Sequence, residues 1–116
     1  MNRDYSDYLP LSPATMHVLL ALSNSDLHGY GIMVEVARQS GGQYKIGPGT
    51  LYDNVNKLLK LGLVEECQGV NSHGETRREY HLTQSGSAVL AAETERLARM
   101  VREVRRSLRL REERQS

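Results

Sequence analysis

Residues 47–82 read GPGTLYDNVNKLLKLGLVEECQGVNSHGETRREYHL, and the period of their apolar positions changes once, near Gly62. Before that point Leu51, Val55, Leu58 and Gly62 share one face of a helical wheel, with Thr50, Asp53, Asn56, Lys57 and Lys60 opposite. Gly47-Pro48-Gly49-Thr50 punctuates the start of this helix, which runs to about Leu61, and Gly62 marks its stop. After it, Leu63 to Gln68 reads as a short strand and Gly69 to Thr76 as a polar loop with two glycines. Arg77 to Leu82 then alternates, with Arg78, Tyr80 and Leu82 on one side and Arg77, Glu79 and His81 on the other. The two runs predict a β-hairpin with a long tip, following directly on an amphipathic helix.

Toward the N-terminus, Ser12-Pro13 is a helix start, with serine as the cap and proline at the first helical position. Met16, Val18, Leu19, Leu20 and Leu22 carry this helix over roughly 13–23, and Ser23-Asn24-Ser25-Asp26 is a polar turn. A second helix begins near His28-Gly29-Tyr30, buries Ile32, Met33, Val36 and Ala37, and ends at Gly41-Gly42. Its early glycines, Gly29 and Gly31, cost helix propensity and point to close backbone packing.

Toward the C-terminus, Thr83 caps a long helix from about Gln84 to Leu110, free of proline and of glycine after Gly86. Leu90, Thr94, Leu97, Val101, Val104 and Leu108 step by 4, 3, 4, 3, 4, an a/d seam of nearly three heptads. The far half of such a helix has no core of its own chain to bury against, so the seam (Leu90, Leu97, Val101, Val104 and Leu108) is expected to pair with a second copy. Residues 111–116 read as a frayed polar tail.

The chain of 116 residues therefore divides into a small domain, 1–82, and a C-terminal dimerisation helix, 83–116. It has no Trp or Phe, so its core must rest on Leu, Val, Ile, Met and Ala. The net charge of +1 hides segmentation: residues 27–62 carry +2, residues 63–82 carry −2, and residues 83–116 set eight arginines against five glutamates. That balance excludes a protein that coats nucleic acid by charge alone and leaves a local positive face as the means of binding DNA. The single cysteine, Cys67, forms no internal disulfide, which fits a reducing compartment. No apolar run approaches a membrane span, and the first ten residues, acidic and without an apolar core, are not expected to be a signal peptide.

Three short helices followed by a hairpin make a winged helix-turn-helix, a mainly α fold with a small β-wing. In this fold the third helix enters the major groove and the hairpin tip touches the backbone or minor groove. On that helix Thr50 and Asn56 face outward, and Asn56 suits an adenine edge. Lys57, with Lys45 just before the helix, suits phosphates. Asp53 repels phosphate and accepts from a cytosine amino group. Tyr52, at the flank, reads either as packing or as a phosphate donor. Ser72, His73 and Arg77 lie at or near the wing tip, while Arg78 and Tyr80 are expected to staple the wing to the core. The competing reading of these positions is an ordinary solvated helix face and a loop without a partner.

An enzyme is not expected. His17, His28, His73, His81 and Cys67 have no metal-ligand spacing, and no phosphate-loop or nucleophile motif is present, so neither metal nor cofactor is assigned. Cys67 reads as a small strand residue, with a redox role as the alternative.

The stretches HGYGI at 28–32, GPGTLYDNVNKLLKLGLVEE at 47–66 and RREYHLTQSG at 77–86 resemble the PadR family of bacterial transcriptional regulators, over about residues 11–92. The resemblance implies a cytoplasmic homodimeric repressor that binds an operator near its own promoter and is often released by a small ligand. The single C-terminal helix is similar to the short-tailed subgroup. Asp53 stands where many relatives carry Pro or Arg, so a different operator is implied. The absence of tryptophan excludes a drug pocket walled by paired tryptophans. A possible effector pocket between the dimer helices and the first helix is expected to be lined by Met16, Leu20, Leu97 and Met100. The operator is expected to be a near-palindrome in double-stranded DNA. The alternative class is a winged-helix module that binds protein and not DNA.

Overall fold

The computed structural model describes residues 5–115. A single 3-10 turn, Ser6–Tyr8, leads into α1 (Pro13–Leu22), α2 (Gly29–Gln39), α3 (Pro48–Lys60), β1 (Val64–Val70), β2 (Thr76–Leu82) and α4 (Gln84–Gln115). The expected order of three helices, hairpin and long helix is the one observed.

Local chemistry accounts for most boundaries. The Ser12 hydroxyl accepts the Thr15 N–H at 3.2 Å and Pro13 occupies the first turn of α1. After α2, Gly41 and Gly42 take φ of 62° and 79°, and after α3 Gly62 takes 72°, a region in which side-chain-bearing residues are strained. The Thr83 hydroxyl accepts from the Gly86 N–H at 3.0 Å and donates to the Gly62 carbonyl at 2.7 Å, capping α4 and tying it to the end of α3. A β-carbon at Gly86 would overlap the Leu63 carbonyl, so α4 starts as close to the wing root as backbone permits.

Two boundaries correct the sequence reading. The wing strands run further than expected, pairing from Val64 with Leu82 to Val70 with Thr76, so the tip is only residues 71–75 and not 69–76. Asn71 closes that tip: its side-chain oxygen accepts from His73 N at 2.9 Å and Glu75 N at 3.0 Å, and its own N–H donates to the Glu75 carbonyl at 2.9 Å. The second correction is α4, which continues past Leu110 to Gln115; its last residues are helical, not a frayed tail.

Val18, Leu19, Ile32, Val36, Leu51, Val55, Leu58, Leu63, Val64 and Val89 are essentially excluded from solvent and form one core. Tyr5, Tyr8, Leu9 and Leu11 of the N-terminal segment pack against it. The wing is joined to the helices by a short backbone bridge in which Leu27 and Tyr80 exchange hydrogen bonds at 3.2 and 2.8 Å. Tyr80 is buried there, as expected of a staple. Arg78 is exposed, 3.7 Å from the Glu66 carboxylate, and reaches the core only through a hydrogen bond to the Tyr80 side chain.

α4 is anchored by an unexpected charge. The Glu93 side chain is 2% exposed, accepts the Leu11 N–H at 2.8 Å and accepts Arg96 Nη2 at 3.1 Å. These bonds hold its carboxyl below the usual carboxylate range, the Arg96 bond most of all.

Candidate nucleic-acid interface

α3 has two chemically distinct faces. Leu51, Val55 and Leu58 are buried against α1 and α2. Thr50, Tyr52, Asp53, Asn56, Lys57 and Lys60 are exposed, so the structure brings Thr50, Asp53, Asn56 and Lys57 together on one open surface.

Asn54, between them, turns inward. It accepts the Thr15 hydroxyl hydrogen at 2.7 Å and donates to the Thr50 carbonyl at 2.8 Å. Thr15 is itself held by Ser12, whose hydroxyl donates to it at 2.9 Å. The start of α1 thereby sets the roll of α3 about its axis. Tyr52 lies over the first turn of α2: a β-carbon at Gly29 would overlap its hydroxyl. The tyrosine packs on α2 yet keeps its side chain partly exposed, with its phenol end beside an α2 terminus that has no side-chain cap. Gly29 serves the close packing expected of it. Gly31 serves it too, meeting the His28 ring.

Lys45 is exposed in the segment before α3, next to the buried Ile46. Lys57 also borders a cleft of about 300 Å³ between the N-terminal segment and α3, opposite Asp7 and Tyr8 and floored by Leu58 and Leu63.

In the wing, Ser72 and His73 are exposed at the tip, while Arg77 sits in β2 opposite Gly69. Its Nε donates to the Glu79 carboxylate at 3.1 Å. On the same hairpin His81 Nδ1 lies 2.7 Å from Asp26, and that hydrogen bond raises the imidazole pKa. Cys67 lies 3.7 Å from the same carboxylate. Burial, and then Asp26, push the thiol up, the direction of an unreactive cysteine.

The transcriptional regulator PadR-like family model matches residues 18–92. The chain belongs to the PadR-like family of transcriptional regulators. It is 33% identical over 89 residues to a transcriptional regulator of Mycobacterium tuberculosis, covering 77% of this chain and 79% of that one. A PadR-like regulator from Bacillus cereus superposes with a TM-score of 0.70 at 20% identity, covering 81% of this chain and 89% of that chain. The PadR of Bacillus subtilis, solved in complex with operator DNA, superposes with a TM-score of 0.60 at 22% identity. That match covers 72% of this chain and 47% of the Bacillus subtilis protein.

The PadR-like match stops within the first turns of α4, and from Arg99 onward that helix is exposed in the single chain. Leu97, Val101, Val104 and Leu108 are 36–55% exposed in a row, whereas Leu90 packs against the core of its own chain. Met16 and Leu20 on α1 are half-buried, and Met100 on α4 is exposed. Among the described residues no three His, Cys, Asp or Glu side chains are arranged to hold a metal ion, and no helix is long and apolar enough to cross a membrane.

The residues missed in the sequence are supporting ones: Asn54, Glu79 and Glu93. Asn54 had a signal, since it falls between the buried and exposed faces of α3. Glu79 had a signal too, since the strand alternation places it on the same side as Arg77, whereas Glu93 had none, because Leu11 reaches it only through tertiary approach.

Proposed function

We propose that this PadR-like chain acts as a homodimer that binds a near-palindromic operator in double-stranded DNA and represses a nearby promoter. The observation that carries the reading is the open row of Thr50, Asp53, Asn56 and Lys57 on α3, held outward by a core-packed opposite face. The Bacillus subtilis PadR, solved with operator DNA, supports it as a relative of the same fold.

In this reading α3 enters the major groove. Asn56 presents its amide to an adenine edge, Asp53 accepts from a cytosine amino group, and Thr50 serves either base or phosphate. Lys57 and Lys45 neutralise phosphates, and the Tyr52 hydroxyl donates to one. Ser72, His73 and Arg77 carry the wing contact. Residues 1–82 are the DNA-binding part and 83–116 the dimerisation helix, whose seam of Leu97, Val101, Val104 and Leu108 is covered by its copy. A small-molecule effector held near Met16, Leu20, Leu97 and Met100 would relieve repression by changing the spacing of the two α3 helices.

The test is Lys57→Glu in the full chain. Operator affinity is expected to fall at least a hundredfold while the dimer survives. The near-neutral net charge of +1 favours a second reading, a winged-helix module that binds protein. It requires Lys57→Glu to leave binding of an intact partner unchanged, with no duplex bound by either form.

A further inference from the structure

We infer that Glu79 is a positioning residue that aims the wing arginine, Arg77, and that Gly69 makes the room this requires. The inference rests on the reading of the wing as a DNA contact.

In the ladder Gly69 stands opposite Arg77 and Cys67 opposite Glu79, so these four positions share one face of the hairpin. Gly69 leaves a trough in that face. The Glu79 carboxylate fills it: a β-carbon at Gly69 would overlap the carboxylate carbon and both its oxygens. Any other residue at 69 expels this carboxylate. On an exposed two-stranded wing, the Glu79 side chain is consequently only 14% exposed.

From that seat Glu79 Oε2 accepts Arg77 Nε–H at 3.1 Å. Arginine has five N–H donors, and this bond uses one, leaving the two terminal nitrogens for a phosphate. A guanidinium already held in place loses less side-chain freedom when it binds. Arg78, on the other face of the same strand, has no buried carboxylate: its side chain is 68% exposed, lies 3.7 Å from a half-exposed Glu66 and hydrogen-bonds the Tyr80 side chain. A partly exposed pair such as Arg77–Glu79 adds little to fold stability. Its effect is therefore sought in binding.

Two readouts test this on the full-length protein. The first needs no DNA: the Arg77 Nε–H resonance in the free protein is expected to be protected from solvent exchange, to lose protection in Glu79→Ala and Gly69→Ala, and to keep it in Glu79→Gln. An unprotected resonance in the wild type overturns the positioning role. The second is a double-mutant cycle read by anisotropy with duplex from upstream of the gene. Glu79→Ala is expected to weaken binding about fivefold, a typical coupling for side chains in contact. In an Arg77→Ala background it is expected to change nothing, and Glu79→Gln to retain wild-type affinity. Tighter binding by Glu79→Ala, or an equal loss in both backgrounds, overturns the inference. Arg77→Ala without effect, or no duplex bound by the wild type, overturns the wing contact itself and this inference with it.

Discussion

The Thr15 hydroxyl on α1 donates to the side-chain oxygen of Asn54 on α3 at 2.7 Å, and Thr15 is 6% exposed. The bond joins the first turn of one helix to the only polar residue of α3 that faces inward, and it sets which side chains α3 presents. Thr15→Val keeps the shape and removes the donor. A buried acceptor without its donor costs about 1–2 kcal/mol. Calorimetry is expected to show a Tm lower by roughly 5 °C, and an unchanged Tm would mean that α3 does not depend on this bond.

Glu93 is the second tie between distant parts of the chain, its carboxylate accepting the Leu11 N–H 82 residues away. Glu93→Ala leaves the Leu11 N–H without its acceptor and the partly exposed Arg96 guanidinium to water, at an expected cost of about 1–2 kcal/mol. The pH dependence follows from its lowered carboxyl pKa. The unfolded chain binds the proton more tightly, so the contribution is complete above the ordinary carboxylate value and disappears as pH falls through the folded value. Denaturant titrations between pH 3 and 7, at about one-unit steps across the carboxylate range, are expected to show a smaller acid loss in the variant than in the wild type.

The long-range ties are where the sequence is least legible. Leu51, Val55 and Leu58 show their buried face through helical spacing, and Thr83 shows its cap through its place before an unbroken helical run. Glu93 looks like any other acidic residue in a helix rich in charge; only the approach of Leu11 distinguishes it. Gly69 reads as a turn signal, whereas in the fold it is a paired residue near the end of β1 whose open side is filled by Glu79, so the wing tip is shorter than its composition suggests. The Leu27–Tyr80 bridge has no pattern to read, because Leu27 pairs with β2 as a single residue outside any strand run. The exposed row on α3 was legible in full, since one period places all of its members.

His81 and Asp26 tie the wing to the turn before α2, and both side chains are nearly half exposed. The group opposite His81 in the ladder is Glu65, which acts in the same direction as Asp26. The raised imidazole pKa means that the pair contributes most below the ordinary histidine value and loses its contribution as pH rises through the folded one. An NMR titration of the His81 ring is expected to give a midpoint above about 6.5, returning toward that value in Asp26→Asn. Identical midpoints in the two proteins would show that Asp26 does not act on the ring.

The bare seam of α4 predicts its own disruption. Val104 is 50% exposed in the single chain and lies mid-seam. Val104→Glu places like charges against one another across a paired helix, and sedimentation is expected to show a monomer where the wild type is a dimer, with the fold of residues 13–89 intact. A wild-type monomer, or a dimer indifferent to this change, would contradict helix pairing.

The central claim, a dimer that reads a specific operator, is tested most directly by fluorescence anisotropy of the purified protein. The duplexes compared are one from just upstream of its gene and one of the same composition in scrambled order, with salt varied. Binding is expected to be at least a hundredfold tighter to the upstream duplex, with two protomers per site and an affinity that falls as salt rises. Equal binding to both duplexes, or none to either at low salt, would contradict the claim.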